Sequence, residues 1–260
     1  MSTTVFNIMP DETADSGCKG CEDSLDFDFT FAFQPIVDVK QKTIFAYEAL
    51  VRGPNQEGAF EILSKVNDNN RYRFDQECRK RSIFLAQRLG MTARISINFL
   101  PNAIYQPELC IRTTIAAAEA AGFPLEQIIF EVTEGEQIVE PGKLLSIFRY
   151  YKDRGFMTAI DDFGAGYAGL TLLTNFQPHL IKIDIYLVKD IDTNPIKQAV
   201  VKGILLTTKM LGVKVIAEGV ETAAEACWFK AHGVDLMQGY YFARPGFESL
   251  PVVSNWNFDE

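Results

Sequence analysis

Met157-Thr158-Ala159-Ile160-Asp161-Asp162-Phe163-Gly164 is an apolar run of strand length that stops on two adjacent carboxylates and a glycine. Six further apolar runs also end in a carboxylate, amide or ammonium group. Ile44 to Glu48, Arg94 to Asn98 and Ile128 to Glu131 precede it; Leu180 to Asp184, Lys214 to Glu218 and Asp235 to Gln238 follow. Most of the intervals can hold a helix. Polar groups at the ends of successive parallel strands meet in space only if the sheet closes on itself, as in a (β/α)8 barrel of the TIM type. Such barrels carry their chemistry at the C-terminal ends of the strands. Carboxylates gathered there are too costly to bury unless cations neutralise them, so the pattern asks for metal.

The remaining composition fits this reading. The chain has 260 residues, 47% of them apolar and 23% charged, which suits one α/β barrel with a large core. A net charge of −9 argues against polymeric nucleic acid as a partner, though not against a small anion met by local cations. No apolar stretch reaches membrane-spanning length and no secretory leader is evident, so a cytoplasmic location is expected. The five cysteines read as reduced thiols, and Cys18-x-x-Cys21 lacks the second pair a zinc ribbon needs.

Residues 1–26 are polar and aperiodic and read as a disordered leader; residues 27–260 read as one domain. A first strand is expected over Phe31 to Val37. Helices are expected near Gln76 to Leu89, Glu108 to Ala121, Lys143 to Arg154, Ile196 to Leu211 and Ala223 to His232. Gly90, Gly122, Gly155, Gly212 and Gly233 supply the stops, and Thr222 with Glu225 supplies a capping box. Arg52 to Asp75 reads as loop with a short helix over Ala59 to Asn67.

Asp161-Asp162-Phe163-Gly164 also suits two cations with one carboxylate shared between them. A kinase uses a similar tripeptide for magnesium, but a Gly-rich loop and a His-Arg-Asp catalytic loop are missing here. Histidine chemistry is disfavoured too, since His179 and His232 close no strand.

Eight ordered motifs carry a specific resemblance. They are Gln34-Pro35-Ile36, Glu48-Ala49-Leu50-Val51-Arg52, Ser96-Ile97-Asn98-Phe99-Leu100-Pro101 and Glu131-Val132-Thr133-Glu134. They continue with Asp161-Asp162-Phe163-Gly164, Ile181-Lys182-Ile183-Asp184, Ala217-Glu218-Gly219-Val220-Glu221 and Gln238-Gly239-Tyr240. From Phe31 to Pro251 the chain resembles the EAL-domain cyclic di-GMP phosphodiesterases. Phe74-Asp75-Gln76-Glu77-Cys78-Arg79 is similar to the EAL domains fused to blue-light-sensing modules, here as a stand-alone domain.

The resemblance implies one antiparallel barrel strand near the N-terminus and hydrolysis of cyclic di-GMP to linear pGpG. It implies Mg²⁺ or Mn²⁺ as cofactor in a two-metal site, with Ca²⁺ inhibitory. Glu48, Asn98, Glu131 and Asp161 match the first metal site, and Asp161 and Asp162 the second. Lys182 and Glu218 match the pair that positions and deprotonates the attacking water, with Gln238 and Glu221 in support. Arg52, Gln34 and Leu50 match substrate-binding positions, and Glu134 a residue that steadies the loop after the paired aspartates. Where the family commonly carries Thr and Ser, that loop has Ala165 and Ala168. The resemblance further implies a homodimer and leaves room for a separate regulatory protein. The alternative it allows is a catalytically weak cyclic di-GMP receptor or a protein-binding regulator.

Overall fold

All seven polar-ended runs become strands in a computed structural model, which describes residues 25–104, 106–133, 141–166 and 169–256. They are β2 (Thr43–Arg52), β3 (Arg94–Asn98), β4 (Ile128–Thr133), β5 (Met157–Phe163), β6 (Leu180–Ile183), β7 (Lys214–Ala217) and β8 (Leu236–Gln238). These pair in chain order and in parallel. β1 (Thr30–Asp38) runs antiparallel to both β2 and β8 and closes the ring. A two-residue strand, β9 (Gly246–Phe247), bonds to β1 outside it. The fold is a closed eight-stranded barrel with one reversed strand.

Side chains alternate across a strand, and that alternation divides the barrel interior into two levels. Ile36, Ala46, Ile129, Ala159, Leu180, Ile216 and Leu236, each from a different strand, form a single apolar level.

 

This level fills the barrel floor. Two residues further along the same strands stand Glu48, Glu131, Asp161, Lys182, Glu218 and Gln238. On the reversed β1 the polar residue comes two positions earlier, at Gln34. The intervening residues, among them Ile95, Ile97, Phe130 and Val132, point outward into a large apolar cluster under the helices.

Helices α3 (Pro107–Ala121), α4 (Pro141–Asp153), α7 (Pro195–Leu211) and α8 (Ala223–Ala231) lie where the sequence pattern places them. Gly122 and Gly212 end α3 and α7 in left-handed geometry, with φ of 63° and 70°. The Thr222 hydroxyl accepts from Glu225 N at 3.2 Å, and Glu225 accepts from Thr222 N at 3.0 Å, closing the expected capping box.

Two boundaries differ from expectation. Helix α1 (Ala59–Leu63) stops before Asn67, and α2 (Arg71–Arg88) starts five residues ahead of Gln76. The cause is a local asparagine turn: Asn70 Oδ1 accepts from Asn67 N at 2.8 Å, and Asn67 Oδ1 from Asn69 N at 2.9 Å. The first turn of α2, Arg71-Tyr72-Arg73-Phe74, carries no apolar periodicity to reveal it. Two short helices, α5 (Gly169–Asn175) and α6 (Ile185–Val188), also escaped the periodicity reading, since each spans two turns or fewer. Residues 1–24, which hold Cys18 and Cys21, lie outside the described residues, whereas Leu25 and Phe27 pack against the core. Among the described residues no helix is long and apolar enough to cross a membrane.

The apolar floor is expected to carry stability rather than chemistry. Leu180→Ala should cost about 2–5 kcal/mol by removing a fully buried side chain. Phe60→Ser, at a position 84% exposed, should stay within about 0.5 kcal/mol. Urea unfolding followed by circular dichroism measures both.

Candidate active site

Lys182 on β6 is fully buried, and its ammonium is the centre of the polar level. Its Nζ lies 2.6 Å from Glu218 Oε1, 3.0 Å from Glu131 Oε2, 3.0 Å from Asp161 Oδ1 and 3.4 Å from Glu48 Oε2. One cation thus serves four carboxylates from four strands. Ser96 on β3 donates a short hydrogen bond to Glu131 Oε1, and Gln238 donates to Glu48 Oε2 at 2.8 Å and to Gln34 Oε1 at 3.2 Å. Asn98 donates its amide Nδ2 to Glu48 Oε1 at 3.0 Å.

Asp161 and Asp162 are consecutive, so a regular strand would point them to opposite faces. The pairing of β5 with β6 shifts register between Ile160 and Phe163, and Asp162 takes a left-handed φ of 53°. Aspartate tolerates that geometry better than most residues. The distortion turns Asp162 towards the same end as Asp161, whose Oδ1 accepts from Asp162 N at 3.0 Å.

The charges do not balance. Burial pushes the Glu131 carboxyl up to about 8, with Lys182 opposing the shift and Glu48 and Asp161 adding to it. Burial, then the neighbouring Asp161 and Asp184 charges, lifts Asp162 to about 6. Burial also raises Glu218 well above the ordinary carboxylate range. For Asp161 burial acts upward, but Lys182 and hydrogen bonds prevail and hold the carboxyl low. Burial disfavours the Lys182 ammonium, yet its four carboxylate neighbours keep it charged. A site with this surplus of negative charge calls for added cations.

Two carboxylate triplets are compact enough to supply them with ligands. Oxygens of Glu48, Glu131 and Asp161 lie within 4.8 Å of one another, as do those of Asp161, Asp162 and Glu218. Asp161 is common to both. An all-oxygen donor set suits Mg²⁺ or Mn²⁺. The residues present therefore fit a pair of divalent cations. Ligation by Asn98 would require its amide to turn over and present oxygen.

A cleft of about 250 Å³ opens above the cluster, lined in part by Glu48, Asp162, Glu218, Glu221 and Gln238. Gln34 also lines it, as sequence reasoning expected of a substrate-binding residue. Leu50 and Arg52 do not: Leu50 stands in register with Ala32 on β1, and the Arg52 guanidinium donates to the Val51 carbonyl at 2.7 Å. Glu221 is held by its backbone, whose N–H donates to Glu225 Oε2 at 2.8 Å. Glu134 and Ala168 lie outside the described residues, whereas Ala165 N closes a turn onto the Asp162 carbonyl at 3.0 Å.

Sequence reasoning did not select Ser96, Asp184 or Tyr240. Ser96 had a usable signal, for it is the polar residue two positions before Asn98 and shares its face. Asp184 was visible as the end of its run; it lines the cleft and caps α6 by accepting from Tyr186 N at 2.8 Å. Tyr240 read as rim packing, but it is half exposed and faces the cleft.

Several known proteins resemble this chain in sequence and in fold. The chain is 32% identical over 225 residues to the blue light- and temperature-regulated antirepressor BluF of Escherichia coli, covering 86% of this chain and 56% of BluF. It is 29% identical to the probable cyclic di-GMP phosphodiesterase PdeN of the same organism, covering 84% of this chain and 43% of PdeN. The chain thus spans about half the length of these curated relatives. Among solved structures, a standalone versatile EAL protein from Vibrio cholerae in its cyclic di-GMP-bound form is 55% identical. The match has a TM-score of 0.88 and covers 91% of this chain and all of that one. Klebsiella pneumoniae BlrP1, in complex with manganese and cyclic di-GMP, is 37% identical with a TM-score of 0.80, covering 87% of this chain and 58% of BlrP1. Residues 23–245 match the EAL domain, and the chain belongs to that family.

Proposed function

We propose that the protein hydrolyses cyclic di-GMP to linear pGpG in a reaction that requires divalent cations. The observation that carries this reading is the pair of carboxylate triplets sharing Asp161 beneath an open cleft. Cyclic di-GMP in the Vibrio cholerae relative's structure and manganese in that of BlrP1 support the choice of substrate and cofactor.

When bound, two divalent cations would neutralise phosphoryl oxygens and lower the pKa of a water molecule. Glu48, Asn98, Glu131, Asp161 and Asp162 would hold them. Glu218 takes the proton from the attacking water and Lys182 orients that water through its ammonium; the 2.6 Å contact between the two supports their acting as a pair. Gln238 supplies a further donor, and Glu221 a carboxylate at the edge of the cleft. Water adds to phosphorus, the bond from phosphorus to the 3′ oxygen breaks, and the proton that Glu218 takes from the water is returned through solvent to the 3′ oxygen, so that one water is consumed. Arg52 reaches a substrate phosphate by releasing its contact with Val51.

Mg²⁺ and Mn²⁺ support this reaction, whereas Ca²⁺ binds and inhibits, because its larger radius and loose geometry make it a weaker Lewis acid. The protein acts in the cytoplasm as a homodimer. Ile196, Leu206 and Met210 are exposed on α7, which supports self-association. The antirepressor role named for BluF favours a second reading, in which the site binds nucleotide to regulate a partner protein.

Turnover should vanish in excess chelator and return with Mg²⁺ or Mn²⁺ but not with Ca²⁺. Chromatography of the nucleotide products decides this, and full activity in chelator would exclude a cation-dependent reaction. If cyclic di-GMP binds without being cleaved under every cation condition, the regulatory reading takes its place.

Lys182→Ala and Glu218→Gln should each slow hydrolysis by at least about 10²-fold. Nucleotide affinity should stay within about tenfold. Arg52→Ala should instead weaken binding by roughly 1.5–3 kcal/mol, the worth of a charge-assisted phosphate contact. Calorimetric binding and single-turnover rates separate these effects; equal affinity losses in all three variants would contradict the assignment of roles.

A further inference from the structure

Asp75 and Arg79 form a buried ion pair on α2, outside the barrel wall and away from the cleft. They are 2% and 0% exposed, and Arg79 Nη2 lies 2.9 Å from Asp75 Oδ2. The guanidinium packs against the rings of Phe99, Phe130 and Tyr151, with distances to their centroids of 5.5, 4.9 and 5.6 Å. Its Nη1 donates to the Tyr151 hydroxyl of α4 at 2.8 Å. A buried ion pair adds little net stability compared with apolar side chains of similar size. Its placement suggests another role.

The second oxygen of Asp75, Oδ1, accepts from the backbone N–H of Leu100 at 2.9 Å. One residue earlier, Phe99 N donates to the Glu131 carbonyl at 3.0 Å. Asn98 stands directly before these two anchored residues and opposite Glu131 in the β3–β4 register. The chain leaving β3 is therefore fixed on one side by the barrel and on the other by Asp75. Arg79 orients the Asp75 carboxylate and supports the Phe99 ring from behind.

We propose that Asp75 and Arg79 are positioning residues that hold the Asn98–Leu100 segment so that Asn98 can serve as a cation ligand. This rests on the reading of Asn98 as a ligand. Groups behind metal ligands typically change affinity by about 10–100-fold when removed.

Two double variants of the full chain isolate the effect. Asp75→Asn with Arg79→Met removes the ion pair but keeps an acceptor for Leu100 N. Asp75→Leu with Arg79→Met removes the acceptor as well, and neither leaves an unpaired charge. In calorimetric titration with Mn²⁺, the leucine variant should bind about tenfold or more weakly than the asparagine variant. In an Asn98→Ala background the two should bind alike. Equal affinities in the Asn98 background, or a difference that survives Asn98→Ala, would overturn the proposal. Failure of the unaltered chain to bind Mn²⁺ would overturn both this inference and the cation reading on which it rests. Should the leucine variant not fold, hydrogen exchange of the Leu100 amide in the unaltered chain provides the readout. That amide should exchange slowly and become slower on adding Mn²⁺; no change with Mn²⁺ would refute the role.

Discussion

A single ammonium group held among four carboxylates governs how the interior of this barrel is built. Removing an ion from water costs several kcal/mol unless partners surround it, and Lys182 meets that condition with contacts to Glu48, Glu131, Asp161 and Glu218. The compensation is incomplete in the other direction, since one positive charge cannot keep four crowded carboxyls ionised, and burial pushes Glu131 and Glu218 up towards their neutral forms. The protein carries the excess at the open end of the barrel, where a cleft admits solvent and cations. Beneath it the apolar level closes the interior and keeps the charged groups from sinking further.

Much of this was legible in the sequence because two-residue alternation is a strict rule. Once Ile129 and Leu180 are assigned to the barrel floor, Glu131 and Lys182 must point the same way one step higher. The runs therefore announced both the closed sheet and the residues at its mouth. Asp162 was recognised from its neighbour, but its direction was not, because that depends on a left-handed residue and a register shift. Arg52 shows a different limit: its motif is local, while its orientation depends on a contact with Val51 that no spacing rule encodes.

The helical layer was less transparent. The start of α2 is set by hydrogen bonds among Asn67, Asn69 and Asn70, which compete with helix geometry over a few residues. Asp75 fell at the end of the expected loop and Arg79 on the expected helix, and the motif from Phe74 to Arg79 gave neither a partner. Only the packed structure puts the guanidinium against three aromatic rings and joins the carboxylate to the Leu100 amide. Long-range partners of this kind leave no periodic trace.

The reversed direction of β1 has a consequence for how the chain reaches the site. Thr30, at the start of β1, pairs with Arg52 at the far end of β2. In a barrel whose strands all ran parallel, the first strand would begin at the opposite mouth. Here the polypeptide enters on the rim that carries the carboxylates, and Glu248 receives a hydrogen bond from the Thr30 hydroxyl at 2.5 Å on that side. From that rim the segment just ahead of β1 turns onto α2, where Phe27 and Phe29 pack against Phe74 and Asp28 pairs with Arg81, so the barrel's entry strand is tied to its helical layer before it reaches the interior.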